Sequence, residues 1–313
     1  IFEATELFHR GIGESTDIVS KETYDFVDRG GRNITLRPEG TAGVVRSYIE
    51  NKMYGHPNQP VKLYYNGTMY RYERPQSGRD RELTQFGMEI LGSDDPLSDA
   101  EIISAAVNIY RLLGLKEIKV NLNSLGDNES RRQYRAALIE YFEPHIKDFC
   151  EDCQVRLEKN PLRILDCKVD KERESMKNAP RMSDYLNEES RAYFKAVCDG
   201  LDALGIPYEI DDRLVRGLDY YTHTVFEVVS TNKEMGSQST VFAGGRYDGL
   251  VEYFGGPEKM SGIGFAMGME RLIIALEGEG VQLASEPSLD AYILCLSEKA
   301  SITALKLVTE LRA

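Results

Sequence analysis

The sequence lacks the features that are typical of membrane, secreted and strongly basic proteins. Its 313 residues contain no run of about 18 apolar residues, which excludes a transmembrane helix, and the first residues resemble neither a signal peptide nor an arginine-rich transit peptide. Acidic side chains outnumber basic ones by 51 to 38, so the net charge of −13 provides no global basic field for nucleic acid. Only a local basic face would then bind an RNA partner.

Cysteine is scarce and irregularly spaced. The chain has five cysteines, at positions 150, 153, 167, 198 and 295. An odd number spread so thinly favours a reducing cytoplasm over a disulfide framework, so we expect a cytoplasmic protein. Cys150, Cys153 and Cys167 leave zinc binding open, with His145 nearby, but a second closely spaced pair is missing. We therefore predict a functional site without metal ligands, with zinc at these thiols as the open alternative.

Two common glycine-rich nucleotide-binding loops are also absent. The chain has neither Gly-x-x-x-x-Gly-Lys-Ser/Thr nor Gly-x-Gly-x-x-Gly between a strand and a helix, so a bound nucleotide must be held by side chains. The arginine-rich segment 69–89 offers such side chains, and its apolar alternation on both sides of Pro75 and Gly78 predicts a strand-loop-strand hairpin. Arginine matches phosphate oxygens, and alternate Glu and Gln side chains share one sheet face, where they can bind an amine. A solvated, salt-bridged hairpin is the alternative.

This hairpin resembles motif 2 of the class II aminoacyl-tRNA synthetases. Further segments resemble that family in the same order, namely 35–41, 214–222, 244–250 and, as motif 3, 262–272. The sequences Arg-Gly-Leu-Asp-Tyr-Tyr and Gly-Gly-Arg-Tyr-Asp-Gly are those of the histidine-specific branch, and the resemblance covers nearly the whole chain.

The resemblance implies an ATP site built from arginines. Its ATP-binding residues would be Arg71, Glu73, Arg79 and Arg271, with Arg71 at the α-phosphate and Arg271 at the γ-phosphate or adenine. Arg216 would be a second cation at the α-phosphate and the substrate carboxylate, which makes Arg71 and Arg216 the expected catalytic residues. Cations that are already in position stabilise the charge that builds up when a carboxylate attacks phosphorus. Structural ion pairs are the alternative for each arginine, and for Arg216 the partner would be Asp219.

The resemblance also implies a pocket for the amino acid. Its residues would be Glu39, Thr41 and Gln85 at the ammonium group, Glu89 and Tyr221 at the imidazole, and Arg216, Tyr220 and Tyr247. A carboxylate and a phenol on opposite ring nitrogens select one tautomer, which apolar competitors cannot match. For Tyr220, core packing is the favoured alternative.

Element patterns predict an α+β protein. Antiparallel hairpins occur without a βαβ rhythm, and Pro96-Leu97-Ser98-Asp99 begins a helix that ends at Gly114. The resemblance implies a class II antiparallel sheet flanked by helices. The expected divisions are 1–125 and 190–280 for the two parts of the catalytic core, 126–189 for a helical insertion, and 281–313 for a linker and a truncated anticodon-binding α/β domain. That last domain would open with a strand at 290–296 and a helix at 298–311.

The function that the resemblance implies is that of a histidine–tRNA ligase. Such an enzyme uses ATP and Mg²⁺ to convert L-histidine to histidyl-adenylate and pyrophosphate, then transfers histidine to the 3′ end of tRNA(His), and it acts as a homodimer. The insertion carries no motif, so we expect it to serve tRNA charging and not adenylate formation. Two alternatives are a histidine sensor related to the regulatory subunit of ATP phosphoribosyltransferase and an RNA-binding module of a regulatory kinase. Both are expected to lose the ATP-binding arginines, which this chain retains.

Overall fold

The computed structural model describes residues 1–12, 16, 18–216, 220–232, 235, 239–282 and 289–312. The chain divides into two compact units, Ile1–Val281 and Gln282–Ala313. No helix in the part of the chain that the structure describes is long and apolar enough to cross a membrane.

The described residues of the first unit form two sheets. The small sheet has the order β1-β3-β2, and the large sheet has the order β4-β5-β10-β9-β8-β6-β7, antiparallel except between β6 and β7. The strands are β1 (Phe2–Ala4), β2 (Tyr24–Val27), β3 (Asn33–Leu36), β4 (Val61–Tyr70), β5 (Glu82–Leu91), β6 (Ile118–Ser124), β7 (Tyr208–Ile210), β8 (Thr222–Ser230), β9 (Thr240–Arg246) and β10 (Gly262–Gly268). The predicted hairpin is confirmed as the β4–β5 pair.

Helices flank the large sheet, which confirms the α+β prediction. In the described part of the first unit the helices are α1 (Thr5–Ile12), α2 (Thr41–Glu50), α3 (Pro96–Leu112), α4 (Asn128–Phe142), α5 (Glu151–Lys159), α6 (Glu174–Lys177), α7 (Glu188–Ala203), α8 (Leu250–Tyr253) and α9 (Met269–Gly278). The second unit contains α10 (Glu298–Leu311). Short 3₁₀ turns occur at Met53–Gly55, Glu143–Asp148, Pro161–Ile164 and Met182–Asp184, and a π-helical turn at Ile18–Glu22.

The longest helix, α3, begins and ends where its sequence predicts. The Asp95 carboxylate accepts a hydrogen bond from the Leu97 amide, Pro96 occupies the first turn, and Gly114 has a positive φ of 86° after the helix. Its buried stripe, which includes Ile103, Val107 and Tyr110, packs into the main core with apolar residues of the large sheet. Burial of this stripe anchors α3 to one face of the large sheet.

A buried ion pair joins α3 to β9. The side chains of Asp99 and Arg246 are fully buried, and Arg246 Nη2 lies 2.5 Å from Asp99 Oδ1. Arg246 also donates from Nη1 to the Ser93 carbonyl at 2.9 Å. Burial raises the pKa of Asp99, and the Arg246 guanidinium opposes that rise. The sequence analysis gave Arg246 no role, yet this pair fixes the position of the next residue, Tyr247.

Residues 128–186 contain helices and turns but no strand, and they share a core with the sheet-forming part of the unit. Tyr134, Leu138 and Phe142 of α4 belong to the same buried cluster as Val225 of β8 and Tyr221, which directly precedes that strand. The helical segment therefore shares a core with one of the predicted pocket residues, Tyr221.

The second unit differs from its prediction at one element. Helix α10 forms over the predicted residues, and the Ser297 hydroxyl caps it by accepting from the Ala300 amide. The prediction of a strand at 290–296 is wrong, because the described residues 289–297 contain no strand. A β-strand needs a neighbour for its backbone hydrogen bonds, and no other described segment of this unit is extended into a strand.

Candidate active site

A cavity of about 410 Å³ lies in the first unit, over the face formed by β5, β9 and β10. All of the residues that the sequence analysis predicted for ATP and histidine line it: Glu39, Thr41, Arg71, Glu73, Arg79, Gln85, Glu89, Arg216, Tyr220, Tyr221, Tyr247 and Arg271. They come from distant segments of the chain, and the first and last of them, Glu39 and Arg271, are 232 residues apart. The sheet register explains the convergence, since β10 lies between β5 and β9 and pairs Gly264 with both Glu89 and Gly245.

Glu89 is the centre of a buried polar cluster. Its side chain is 1% exposed, and its carboxyl accepts hydrogen bonds from the Thr41 hydroxyl at 2.7 Å and the Tyr247 hydroxyl at 2.6 Å. Burial raises the pKa of Glu89 to about 8, although both hydrogen bonds favour the ionised form. Near pH 7 this carboxyl is therefore mostly protonated and able to donate a hydrogen bond to a ligand.

Glu39 is the second buried carboxyl in the cavity. It accepts hydrogen bonds from the backbone amides of Thr41 at 2.6 Å and Ala42 at 3.0 Å, which are orphan donors at the start of α2. Burial raises the pKa of Glu39, and those two amides and the charge of Arg71 oppose the rise. A cationic ligand group would restore the charge of both carboxyls.

Aromatic side chains and an amide complete this part of the cavity. The Tyr220 ring lies 4.7 Å from that of Tyr221 and 5.8 Å from that of Tyr247, measured between centroids. The Tyr65 hydroxyl and the Gln85 Oε1 atom are buried without a hydrogen-bond partner among the described residues. A buried polar atom without a partner costs about 1 to 3 kcal/mol, so a polar ligand that supplies the partner is favoured. The sequence analysis missed Tyr65, although its spacing of two residues from Leu63 places both on the same face of β4.

Arginines line the part of the cavity near the hairpin loop. Arg271 donates from Nε to the Gly78 carbonyl at 2.8 Å and from Nη1 to the Thr240 carbonyl at 2.9 Å, and Arg71 donates from Nε to the Pro38 carbonyl at 2.8 Å. Arg79 Nε lies 2.6 Å from a Glu73 carboxylate oxygen. Burial lowers the pKa of Arg271, and the nearby charges of Arg79 and Arg71 lower it further. Guanidinium groups crowded in this way favour a polyanion.

Arg216 is paired with a carboxylate that the sequence analysis did not consider. Its guanidinium forms an ion pair with Glu227 of β8, and a Glu227 oxygen also accepts from the Thr240 hydroxyl at 3.1 Å. Burial lowers the pKa of Arg216, but Glu227 and the weaker influences of Tyr221, Tyr220 and Asp166 together outweigh it, so the pKa is raised. The alternative partner Asp219 lies outside the described residues. Glu227 was detectable as the one charged residue in the apolar run 225–229.

The helical segment contributes two residues to the lining of the cavity. Asp166 and Lys168 lie on the cavity wall, next to the buried Cys167. They follow the turn Pro161–Ile164, which packs in the core shared with Tyr221. No short motif marks this contribution, because it depends on how the segment folds back onto the sheet.

Gly264 provides the space that Glu89 occupies. A Cβ at this position would lie 1.6 Å from Glu89 Oε2 and 2.6 Å from the Met88 carbonyl oxygen, so no side chain fits without displacing the carboxyl. Gly264→Ala is therefore expected to weaken histidine binding about tenfold or more and to cost about 1 to 3 kcal/mol in the free energy of unfolding. Calorimetric titration and urea unfolding measure the two effects.

Gly43→Ala is the matched control for this substitution. Gly43 lies within α2, and its Cβ would meet nothing within 4 Å. The control should leave histidine binding intact and stabilise the helix by up to about 1 kcal/mol. Unchanged histidine affinity in a folded Gly264→Ala protein would show that Glu89 has room to move without functional cost.

Comparisons with known proteins agree on one family. A family model described as histidyl-tRNA synthetase matches residues 1–272. The chain is 60% identical over 312 residues to a histidine–tRNA ligase of Anoxybacillus flavithermus and 58% identical to one of Geobacillus sp. strain WCH70, covering 100% of this chain and 74% of each relative. The crystal structure of apo S. aureus histidyl-tRNA synthetase matches with a TM-score of 0.77 and 48% identity, over 100% of this chain and 72% of that one. An ATP phosphoribosyltransferase regulatory subunit/histidyl-tRNA synthetase from Bacillus halodurans, at 21% identity, shares the fold.

Proposed function

Because this chain belongs to the histidyl-tRNA synthetase family, with the class II fold, we propose that its cavity joins L-histidine to ATP as histidyl-adenylate. The enzyme is a histidine–tRNA ligase, which charges tRNA with histidine for translation. In the proposed sequence of steps, pyrophosphate leaves first, and histidine then passes to the 3′ end of tRNA(His). The observation that carries this proposal is the meeting of the Glu89 cluster and the arginines in one cavity.

The contacts suggest how the two substrates divide the cavity. Glu89 pairs with Gly264 and Gln85 with Gly268, so Gly268 lies four residue steps, or about 13 Å, along the strands from the position of Glu89. Arg271 is in the helix that follows Gly268. We place histidine at the Glu89 end and the triphosphate at the arginine end. The histidine carboxylate would then attack the α-phosphorus between them, where Arg71 and Arg216 lie.

The reaction requires charge stabilisation more than proton transfer. The attacking carboxylate is already ionised, and negative charge grows on the α-phosphate oxygens and on the departing pyrophosphate. Arg216 is held by Glu227, and Arg71 by the Pro38 carbonyl, so neither guanidinium needs to reorganise as that charge appears. Arg79 and Arg271 would bind the pyrophosphate.

Mg²⁺ belongs to this proposal as part of the nucleotide substrate. Carboxylate oxygens are suitable ligands for Mg²⁺, but three carboxylates of the cavity already have partners: Glu73 pairs with Arg79, Glu227 with Arg216, and Glu270 accepts from the Thr84 amide. Among the described residues, they do not form a cluster of three or more that would hold an ion. The ion would therefore enter with ATP, held by phosphate oxygens.

Assembly, location and domain roles complete the proposal. The small sheet exposes Phe2, Phe26 and Val27, and the Phe2 and Phe26 rings are in contact at 6.0 Å, an apolar face that a second copy would cover in a homodimer. A cytoplasmic location follows from the tRNA substrate. We assign 126–189 to an insertion that assists tRNA charging, 1–125 and 190–280 to the catalytic core, and 281–313 to a linker and the start of an anticodon-binding domain.

Histidine-dependent exchange of pyrophosphate into ATP tests the proposed activity. We expect exchange that requires both histidine and Mg²⁺, together with histidine binding measured by calorimetry. A histidine sensor is the second candidate, favoured only by the shared fold of the regulatory subunit relative. Histidine binding without exchange would identify a sensor, and absence of both would reject the assignment of the cavity.

A further inference from the structure

Four side chains with metal-ligating atoms meet in the helical segment, away from the active-site cavity. The ligand atoms of Cys150, Cys153, Cys167 and Asp170 all lie within 4.8 Å of one another. Cys150 precedes α5 and Cys153 is in its first turn, whereas Cys167 and Asp170 follow the turn Pro161–Ile164. Cys153, Cys167 and Asp170 are at most 4% exposed. None of the four lines the cavity of the proposed enzyme.

The distances in this cluster match a tetrahedral zinc site. The Cys150 and Cys167 sulfurs are 3.7 Å apart, and Cys167 Sγ lies 3.5 Å from Asp170 Oδ2. Zinc–sulfur bonds of about 2.3 Å and zinc–oxygen bonds of about 2.1 Å in a tetrahedron place two sulfurs about 3.8 Å apart and a sulfur and an oxygen about 3.6 Å apart. The side chains therefore already have the spacing that the ion requires.

Neighbouring groups hold the carboxylate in its orientation. Asp170 Oδ2 accepts from the Cys150 amide at 3.0 Å, and Oδ1 accepts from Arg173 Nε at 2.7 Å. The Asp170 amide lies 3.4 Å from Cys167 Sγ, to which it donates. Such partners around the ligands are typical of metal sites. The Arg173 charge and the N-terminal end of α5 also offset the negative charge of three thiolates and a carboxylate.

Neither a disulfide bond nor simple burial of thiols accounts for all four members of the cluster. The two closest sulfurs are well beyond the disulfide bond length of about 2.05 Å, and all three cysteines are free. A disulfide between Cys150 and Cys167 would leave Cys153 and the buried Asp170 unexplained. Thiols buried only as apolar groups would not explain why Asp170, whose Oδ1 already pairs with Arg173, also places Oδ2 3.5 Å from Cys167 Sγ. Thiolate ligands select zinc over Mg²⁺ and Ca²⁺.

We propose that Cys150, Cys153, Cys167 and Asp170 bind one Zn²⁺ ion as a closed structural site. Asp170 takes the place that the sequence analysis gave to His145, which is exposed and outside the cluster. The thiols release their protons to solvent as the ion binds. Because Asp166 and Lys168 flank Cys167, the ion anchors the stretch that reaches the cavity wall.

Metal analysis of the full chain tests this site directly. Protein produced with zinc and purified under reducing conditions without chelator should contain about one zinc ion per chain. Removal of the ion by a chelator should lower the unfolding temperature and increase the number of thiols that react with a thiol reagent. Replacement by Co²⁺ should give the visible absorption of a tetrahedral site with thiolate ligands. Reduced protein that takes up neither ion at stoichiometric level would overturn the proposal.

Variants locate the ion. Asp170→Asn keeps the shape of the side chain but removes its charge. Asp170→Asn and Cys150→Ser, made as separate variants, should each weaken zinc binding by about tenfold or more. Cys198→Ser changes a half-buried cysteine outside the cluster and should keep the full zinc content. Full zinc content in a Cys153→Ser/Cys167→Ser protein would place the ion elsewhere and reject the site. If these variants do not fold, a Co²⁺ spectrum of the chelator-treated parent protein without thiolate bands rejects it equally.

Discussion

Arg216→Ala is expected to lower histidine-dependent pyrophosphate exchange by about two to three orders of magnitude, the effect of removing one preorganised donor from a developing oxyanion. The guanidinium lies in the cavity wall and is held by Glu227, so in the proposed reaction it would meet the α-phosphate without reorganisation. Its contribution is largest when charge peaks on the phosphate oxygens. Histidine affinity should therefore fall much less than the rate of exchange.

Removal of Arg216 also leaves the Glu227 carboxylate unpaired, where it would repel the triphosphate of ATP. This repulsion must be separated from the loss of the arginine's own charge. The double variant Arg216→Ala/Glu227→Gln removes the unpaired charge and should recover part of the rate, but not the fraction that belongs to transition-state stabilisation. Arg213→Ala is the matched control, since Arg213 is exposed and does not line the cavity. Exchange at the parental rate in Arg216→Ala would remove Arg216 from the mechanism.

Glu89→Gln is expected to reduce discrimination between histidine and amino acids that lack its ring nitrogens. Sites built to hydrogen-bond a ligand can reject analogues by about four orders of magnitude, because the buried polar groups are left unpaired. The Glu89 carboxyl has such a buried position, between the Thr41 and Tyr247 hydroxyls. Glutamine keeps the shape but cannot exchange a proton with the imidazole. The ratio of exchange rates for histidine and its competitors measures the loss.

The same variant tests the titration of Glu89. In the free protein the pKa of Glu89 is about 8, so the site carries one proton at neutral pH. An unperturbed imidazole has a pKa of about 6.5. At pH values between that pKa and the pKa of Glu89, the carboxyl and the imidazole share this one proton in the complex, so histidine binds without net uptake of a proton. Above pH 8 the complex must take up a proton, and below about pH 6.5 the ligand must lose one, so affinity should fall on both sides.

Glu89→Gln should remove the fall in affinity that begins near pH 8. Titration of the ligand amino group is common to both proteins, so it cancels in the ratio of their dissociation constants. Glu82→Gln is the control, because Glu82 is exposed on the same strand and lies outside the cavity lining. If the ratio for Glu89→Gln does not change between about pH 5.5 and pH 9, a range that extends about one unit beyond the two pKa values, Glu89 does not exchange a proton with the ligand.

Local sequence was sufficient for most elements of the fold. The hairpin β4–β5 was predictable because its alternating pattern and the turn with Pro75 and Gly78 all lie within the continuous segment 61–91. Helix α3 was predictable because its cap, its apolar stripe and its terminal glycine are all local. The strand at 290–296 failed for the opposite reason: its residues favour a strand, but extended backbone is stabilised only by a partner strand, which local sequence does not report.

The sequence by itself determined the chemistry of the cavity, since its arginines, carboxyls and phenols stand in recognisable motifs. Tertiary structure alone decided which of them meet. Tyr247 donates to Glu89, Glu227 pairs with Arg216, and the stretch beside Cys167 reaches the cavity. Those contacts depend on sheet register and on the packing of distant segments. Residue types are fixed by the sequence, but partners and the pKa shifts that burial produces exist only once remote segments are buried together.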